Sequence, residues 1–348
     1  MRILYIGDLS KGSTAAMRLR TMRDLGHHVF SVHSEWSAEG LAGLPLRVLR
    51  KCGYFVDQCG ANVAAVDCAR LAPPEVLWVD KGLAIQPSTL RSIRSLAPNL
   101  VAVSYSVDDM CQSHNQSRRY LASVPLYDLH VTTKSFNVAE LTVLGARRVA
   151  FVNNAYCAAT HRPLRLSPEE RRVLGGPVGF IGGFERERAM QMLALAEQGI
   201  PVRVWGGGWR GWAGRHPCLQ VEDRLLWDEE YARAINSFDI NLGFLRRLNR
   251  DVQTQRTVEI PACQAFLLAE RTDEQRALLR EDSEAVYFNS TGELIEKCRF
   301  YLANPLVRRV IATAGRQRCL ASDYTYAGQI SRILALAVPG AQDIKRSA

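Results

Sequence analysis

Two carboxylates, Asp251 and Glu259, bracket seven residues, and a second acidic pair, Asp108-Asp109, closes an apolar run. Carboxylates so placed can accept hydrogen bonds from hydroxyls, orient a sugar or take a hydroxyl proton. Arg186 and Arg188 follow Gly182-Gly183 at the start of a helical stretch. Cations there oppose the helix dipole unless an anion is present. Gly206-Gly207-Gly208 precedes Trp209, and three glycines let backbone approach a planar or charged ligand closely at an entropic cost that a plain turn seldom needs. Trp209 and Trp212 either stack on such a ligand or pack as ordinary aromatics.

The flanking pattern positions these groups. Polar residues 251–257 build no apolar face, Val258 to Cys263 suffices for one or two helical turns, and Ala265 to Ala269 reads as a buried strand. Glu259 therefore stands at a helix entrance, beside the crevice where an open α/β sheet binds ligands. The plainer alternative makes Glu259 a complement to the helix dipole and Asp251 a solvated loop residue. Upstream, Val178–Ile181 and Val202–Trp205 read as strands flanking a helix from Glu185 to Gln198, and a helix over 228–236 precedes a strand over 240–244.

The first half repeats this order. A strand at Ile3–Ile6 runs into a loop containing Ser10, Lys11, Gly12 and Ser13, then a helix from Thr14 to Leu25. Loop and helix start offer N–H groups to an anion, although the spacing is not GxGxxG. A helical pattern spans 41–70, and a strand at Val76–Val79 ends in Asp80-Lys81-Gly82. The strand at Val101–Tyr105 ends at Asp108-Asp109, where a helix-capping role is the alternative to a catalytic one. Further strands at Leu129–Thr133 and Val149–Val152 enclose a helix over 135–144.

At 348 residues the chain accommodates two domains. Their expected bounds are 1–160, a Pro/Gly-marked linker at 161–177, and 178–323, with a final helix at 324–338. The apolar content of 47% is that of a globular protein, and no apolar run reaches the roughly 18–20 residues of a membrane span. The opening MRILYIGD lacks a signal-peptide core, so a cytoplasmic location is expected. Nine cysteines without a CxxC pair or Cys/His cluster read as reduced thiols, and no metal site is expected. A net charge of +9 attracts polyanions, including an anionic membrane surface, but no nucleic-acid motif accompanies it. Nothing in the sequence signals an oligomeric state.

The segment RTVEIPACQAFLLAERTDEQRALLREDSEAVYF, continued by ELIEKCRFYLANP, resembles the C-terminal half of the bacterial spore-maturation (CgeB-like) glycosyltransferases of the GT-B superfamily. DLHVTTKSFN and the exit His161-Arg162-Pro163 resemble the end of that family's amino-terminal domain. The resemblance implies two Rossmann-like domains with parallel sheets facing a cleft, the second holding a nucleotide-sugar donor and the first an acceptor. The acceptor is a glycan, lipid-linked sugar, protein or small molecule, and the final helix crosses back to the first domain. In the retaining branch two acidic residues bracket seven others and the second binds ribose, a role that falls on Glu259, with Asp251 in place of the usual first Glu. It also implies a diphosphate held by Arg188 and Arg186, a nucleotide beside Gly206, Gly208 and Trp209, and donor-side places for Arg256 and Thr257, without metal or cofactor. Ser10 to Ser13 and Lys81 fall on the acceptor side. A non-catalytic nucleotide-sugar-binding protein, or an epimerase or hydrolase of the same fold, is the alternative.

Overall fold

A computed structural model of the chain describes residues 1–34, 49 and 52–338. It divides into two compact units, Met1–Asn153 with Tyr326–Ala348, and Asn154–Thr325. Each is built on a six-stranded, wholly parallel sheet.

Unit 1 contains β1 (Arg2–Gly7), β2 (His28–His33), β3 (Val76–Asp80), β4 (Val101–Ser106), β5 (Leu129–Thr132) and β6 (Val149–Phe151), ordered 2-1-3-4-5-6. Its central strand β3, Val-Leu-Trp-Val-Asp, is buried throughout, as a parallel strand covered on both faces must be. Ser13 caps the helix Thr14–Asp24 by accepting the Ala16 N–H at 3.0 Å. Gly26, at φ +82°, turns the chain into β2. The helical pattern read over 41–70 is corrected where it is described. Residues 52–60 are not helical, because Asp57 takes the Ala61 and Asn62 N–H groups and starts the helix only at Ala61 (Ala61–Leu71). Residues 41–48, 50 and 51 lie outside the described residues.

Unit 2 contains β7 (Gly176–Ile181), β8 (Val202–Trp205), β9 (Leu219–Val221), β10 (Phe238–Gly243), β11 (Leu267–Glu270) and β12 (Val286–Phe288), ordered 12-11-10-7-8-9. Residues 161–177 belong to this unit and carry the helix Pro168–Leu174, whose Ser167 and Glu170 form a reciprocal capping box. Composition alone hid that helix because prolines and glycines flank it. A close approach fixes the β10–β7 pairing: a Cβ on Gly179 would lie 2.3 Å from the Phe238 ring. The last helix, Tyr326–Ala337, belongs to unit 1, where Gln329 bonds the Asn153 carbonyl and the Tyr105 hydroxyl.

Candidate functional site

In unit 2 the strand order reverses between β7 and β10, and the crevice at their carboxyl ends is the expected ligand position. Gly182-Gly183 leaves β7 and opens the 12-residue helix Arg186–Glu197. Its N-cap, Glu185, makes no side-chain cap bond. Arg186 is exposed, whereas Arg188 turns inward and is only 8% exposed. The Arg188 Nη1–H donates to the Gly183 carbonyl at 3.2 Å, and Glu185 stands 3.7 Å from Nη2. Its Nε–H is buried with no hydrogen-bond partner. Burial pulls the Arg188 pKa below its ordinary value; Glu185, Asp251 and Glu270 oppose that pull and neighbouring Arg256 adds to it. Arg256 reaches the same end of β7, its Nε–H on the Ile181 carbonyl at 2.5 Å. Gly183, Arg188, Arg256 and Asp251, four residues singled out by sequence, are thus brought together.

The glycine loop after β8 is welded to the first. Gly206 has φ +145°, and a Cβ there would fall 2.0 Å from the Gly182 carbonyl oxygen, so no other residue fits. The Phe184 N–H bonds the Gly207 carbonyl at 3.1 Å, and Gly208 turns with φ +87°. Trp209 corrects the stacking expectation. It is fully buried, edge-on to Phe180 and Phe184, and its indole N–H bonds the Gly182 carbonyl at 2.8 Å. It braces the glycine loop from within the fold. Thr257 is corrected likewise: it is 1% exposed and its hydroxyl bonds Gln275 Oε1 at 2.7 Å.

Glu259 sits in the first turn of the helix Arg256–Ala262 and is 4% exposed. Its Oε2 accepts the Tyr231 hydroxyl at 2.6 Å, and its Oε1 lies 3.8 Å from His161 Nε2. Neither partner was legible as such, since Tyr231 and His161 are 28 and 98 residues away in sequence. Asp251 holds its own turn, accepting the Asn249 amide at 2.8 Å while its N–H bonds the Arg246 carbonyl.

In unit 1 the corresponding reversal falls between β1 and β3. Lys81, at φ +65°, pairs with Asp108 at 2.6 Å, joining two sequence candidates at neighbouring strand ends. Lys11 is exposed, Gly12 turns with φ +79°, Ser13 is spent as the helix cap, and Ser10 bonds Asp8. Asp109 is corrected as a catalytic candidate. It is fully buried, and its Oδ1 takes the Cys111 N–H and the Asn137 amide. Asp109, Cys111 and Glu140 present possible metal-ligand atoms within 4.8 Å of one another, but the Asn137 amide already bridges both carboxylates. Among the described residues no helix is long and apolar enough to cross a membrane.

Residues 186–335 match the sequence model of a family described as glycosyl transferase-like. No curated protein matches the chain by sequence. Among solved structures, sucrose-phosphate synthase from Thermosynechococcus elongatus superposes with TM-score 0.66 at 14% identity, covering 97% of this chain and 100% of that one. Alr3699/HepE of Anabaena, in complex with UDP and glucose, superposes with TM-score 0.64 at 12% identity, covering 96% and 99%. Alpha,alpha-trehalose 6-phosphate synthase from Burkholderia multivorans gives 0.65 at 11% identity, covering 100% and 98%. With both doubly wound units matched along their length, the chain has the GT-B fold, and its residues 186–335 carry the glycosyl transferase-like sequence pattern.

Proposed function

We propose that this protein is a glycosyltransferase that moves a sugar from a nucleotide-sugar donor, bound by unit 2, to an acceptor hydroxyl. The observation that carries the reading is the buried, partnerless Nε–H of Arg188 at the β7–β10 reversal, beside a glycine loop and a helix start. A diphosphate there receives a charge-assisted hydrogen bond and the helix's free N–H groups. Breaking the bond from the anomeric carbon to the diphosphate oxygen develops charge on the leaving group, and fixed donors lower that barrier without a metal ion. Retention of configuration and membership of the spore-maturation branch rest on the resemblance carried by residues 256–305. Of the first-half candidates, Asp108 stays the catalytic one and Lys81 and the loop 10–13 are kept for the acceptor side. We place the enzyme in the cytoplasm on the strength of its amino-terminal sequence alone.

Glu259 is the ribose ligand in this reading. A carboxylate offers about four lone-pair sites, and Tyr231 fills one of them. Two ribose hydroxyls can take others. The experiment is calorimetric titration of uridine, adenosine and guanosine diphosphates and their 2′-deoxy counterparts. UDP leads because the Anabaena neighbour holds it. Wild type is expected to bind a ribonucleotide about ten-fold or more tighter than its deoxy form, about 1.4 kcal/mol, and Glu259→Ala to abolish the ratio. Failure of all three diphosphates to bind would overturn the function. Binding without transfer to any acceptor would leave a nucleotide-sugar-binding protein, and acceptor-free epimerisation or hydrolysis of the donor would mark the same-fold alternative.

A further inference from the structure

The turn that leads from β6 into the helix Pro168–Leu174 is organised around His161. The His161 N–H donates to the Cys157 carbonyl at 2.7 Å, while the Cys157 N–H donates to His161 Nδ1 at 3.1 Å. With Nδ1 accepting, the neutral ring carries its proton on Nε2. That Nε2–H is buried and has no hydrogen-bond partner, on a residue only 1% exposed. It faces Glu259 Oε1 across 3.8 Å, about 0.9 Å beyond a good hydrogen bond. Burial holds the ring below its ordinary pKa against the pull of Glu259 and Asp228, which keeps it a neutral donor.

Tyr231 completes the arrangement from a different helix, Asp228–Ser237. Its hydroxyl donates to the other Glu259 oxygen at 2.6 Å, and its ring meets the His161 ring edge-on, with centroids 5.7 Å apart. Each oxygen of one buried carboxylate is therefore addressed by a separate donor, one bonded and one in reserve.

We propose that His161 and Tyr231 are positioning residues that fix the Glu259 carboxylate for discrimination between ribose and deoxyribose. The inference rests on the reading of Glu259 as the ribose ligand. Tyr231 sets the rotamer by holding Oε2, and the His161 Nε2–H closes onto Oε1 with a shift of under an ångström once the ligand's hydroxyls engage the carboxylate. A buried donor without a partner is rare in a folded protein, and here it faces a carboxylate that the sequence also singles out. Discrimination by a carboxylate depends on its lone pairs being held in place, because a group free to swing repairs the loss of one hydroxyl by turning to another partner.

The experiment measures dissociation constants of the tightest-binding nucleoside diphosphate and its 2′-deoxy counterpart on wild type, Tyr231→Phe, His161→Phe and His161→Gln. Tyr231→Phe removes one oxygen and keeps the ring contact, so it tests the inference even where His161→Phe fails to fold. The expected result is a ribo-to-deoxy ratio of about ten or more in wild type, falling below about three in both phenylalanine variants and largely restored in His161→Gln. A wild-type ratio preserved in Tyr231→Phe overturns the inference while leaving Glu259 in its role. So does an equal loss of affinity for both nucleotides, which is what a purely structural contribution produces. A wild type that does not discriminate instead removes Glu259 from the ribose, and this inference with it.

Discussion

Both units open with the same local grammar, a strand, a glycine-bearing loop and a helix with a buried arginine near its start, yet the two arginines are used differently. Arg18 of unit 1 clasps Asp80 through Nε at 2.8 Å and Nη2 at 2.7 Å, with Tyr5 bonding the same carboxylate oxygen. Its guanidinium lies over the rings of Tyr105 and Tyr326, 4.6 and 5.4 Å from their centroids, so it also ties down the C-terminal helix. Only Nη1 is left without a partner. Among the described residues Arg188 of unit 2 has no carboxylate within hydrogen-bond reach, and Glu185 stands at 3.7 Å. A buried cation compensated inside the fold is spent on structure; one compensated poorly is kept for an anion that arrives later.

The sharpest way to break this comparison is to delete both arginines. Arg18→Ala leaves Asp80 buried without its cation and should cost about 3–5 kcal/mol of stability. Urea unfolding followed by circular dichroism measures the loss. Arg188→Ala should cost little stability but weaken nucleoside diphosphate binding by about 1.5–3 kcal/mol, since a charged hydrogen bond is lost. Equal stability losses for the two variants, or unchanged nucleotide affinity in Arg188→Ala, would erase the distinction.

Much of this contrast was invisible in sequence, and the reason is physical. Strands such as those over 76–79 and 265–269 announce themselves because burial on both faces demands an unbroken apolar run. The strands and the strand–loop–helix order were therefore legible, and the GT-B arrangement came from the family resemblance. Arg188 could be flagged because its place at a helix start is locally unfavourable. Arg18 could not, because what makes it structural is Asp80, 62 residues away. The same holds for Tyr231 and His161 around Glu259. Trp209 stayed open between stacking and packing because a tryptophan after three glycines looks the same whether it faces a ligand or the loop's own carbonyl. The small helices Pro168–Leu174 and Asp273–Leu278 escaped because each is too short to show a period.

A smaller effect separates the two acidic residues at the end of β4. Asp108 is a quarter exposed and paired with Lys81, whereas Asp109 is sealed against Asn137. Asp109→Asn should therefore cost about 1 kcal/mol of stability, the net worth of one hydrogen bond, and leave transfer rate unchanged. Asp108→Asn should do the reverse. A transfer rate that falls only in Asp109→Asn would return it to the catalytic candidates and unsettle the assignment of buried charge to structure.

An effect of similar size tests whether a compensated charge outside the buried pairs behaves as the comparison requires. Glu293, in the first turn of the helix Thr291–Ala303, receives Arg271 at 2.8 Å, Lys297 at 2.9 Å and the Asn289 N–H. These partners, Arg271 foremost, push its carboxyl down from 4.5 to about 2. Because the folded pKa lies below the unfolded one, the stabilisation is complete above pH 4.5 and is lost as the pH falls through about 2. Its side chain is 28% exposed, so solvent screening trims the contribution. Between pH 5 and pH 3 wild type should lose stability faster than Glu293→Gln, by about 1 kcal/mol over the interval. Tryptophan fluorescence suits the measurement, since Trp205, Trp209, Trp212 and Trp227 all lie in unit 2. Parallel pH profiles for the two proteins would mean that the Arg271 network is satisfied equally well by water. Compensation would then count for stability only where it is buried, as at Arg18, and the exposed arginines around the crevice would owe their place to the ligand or to nothing.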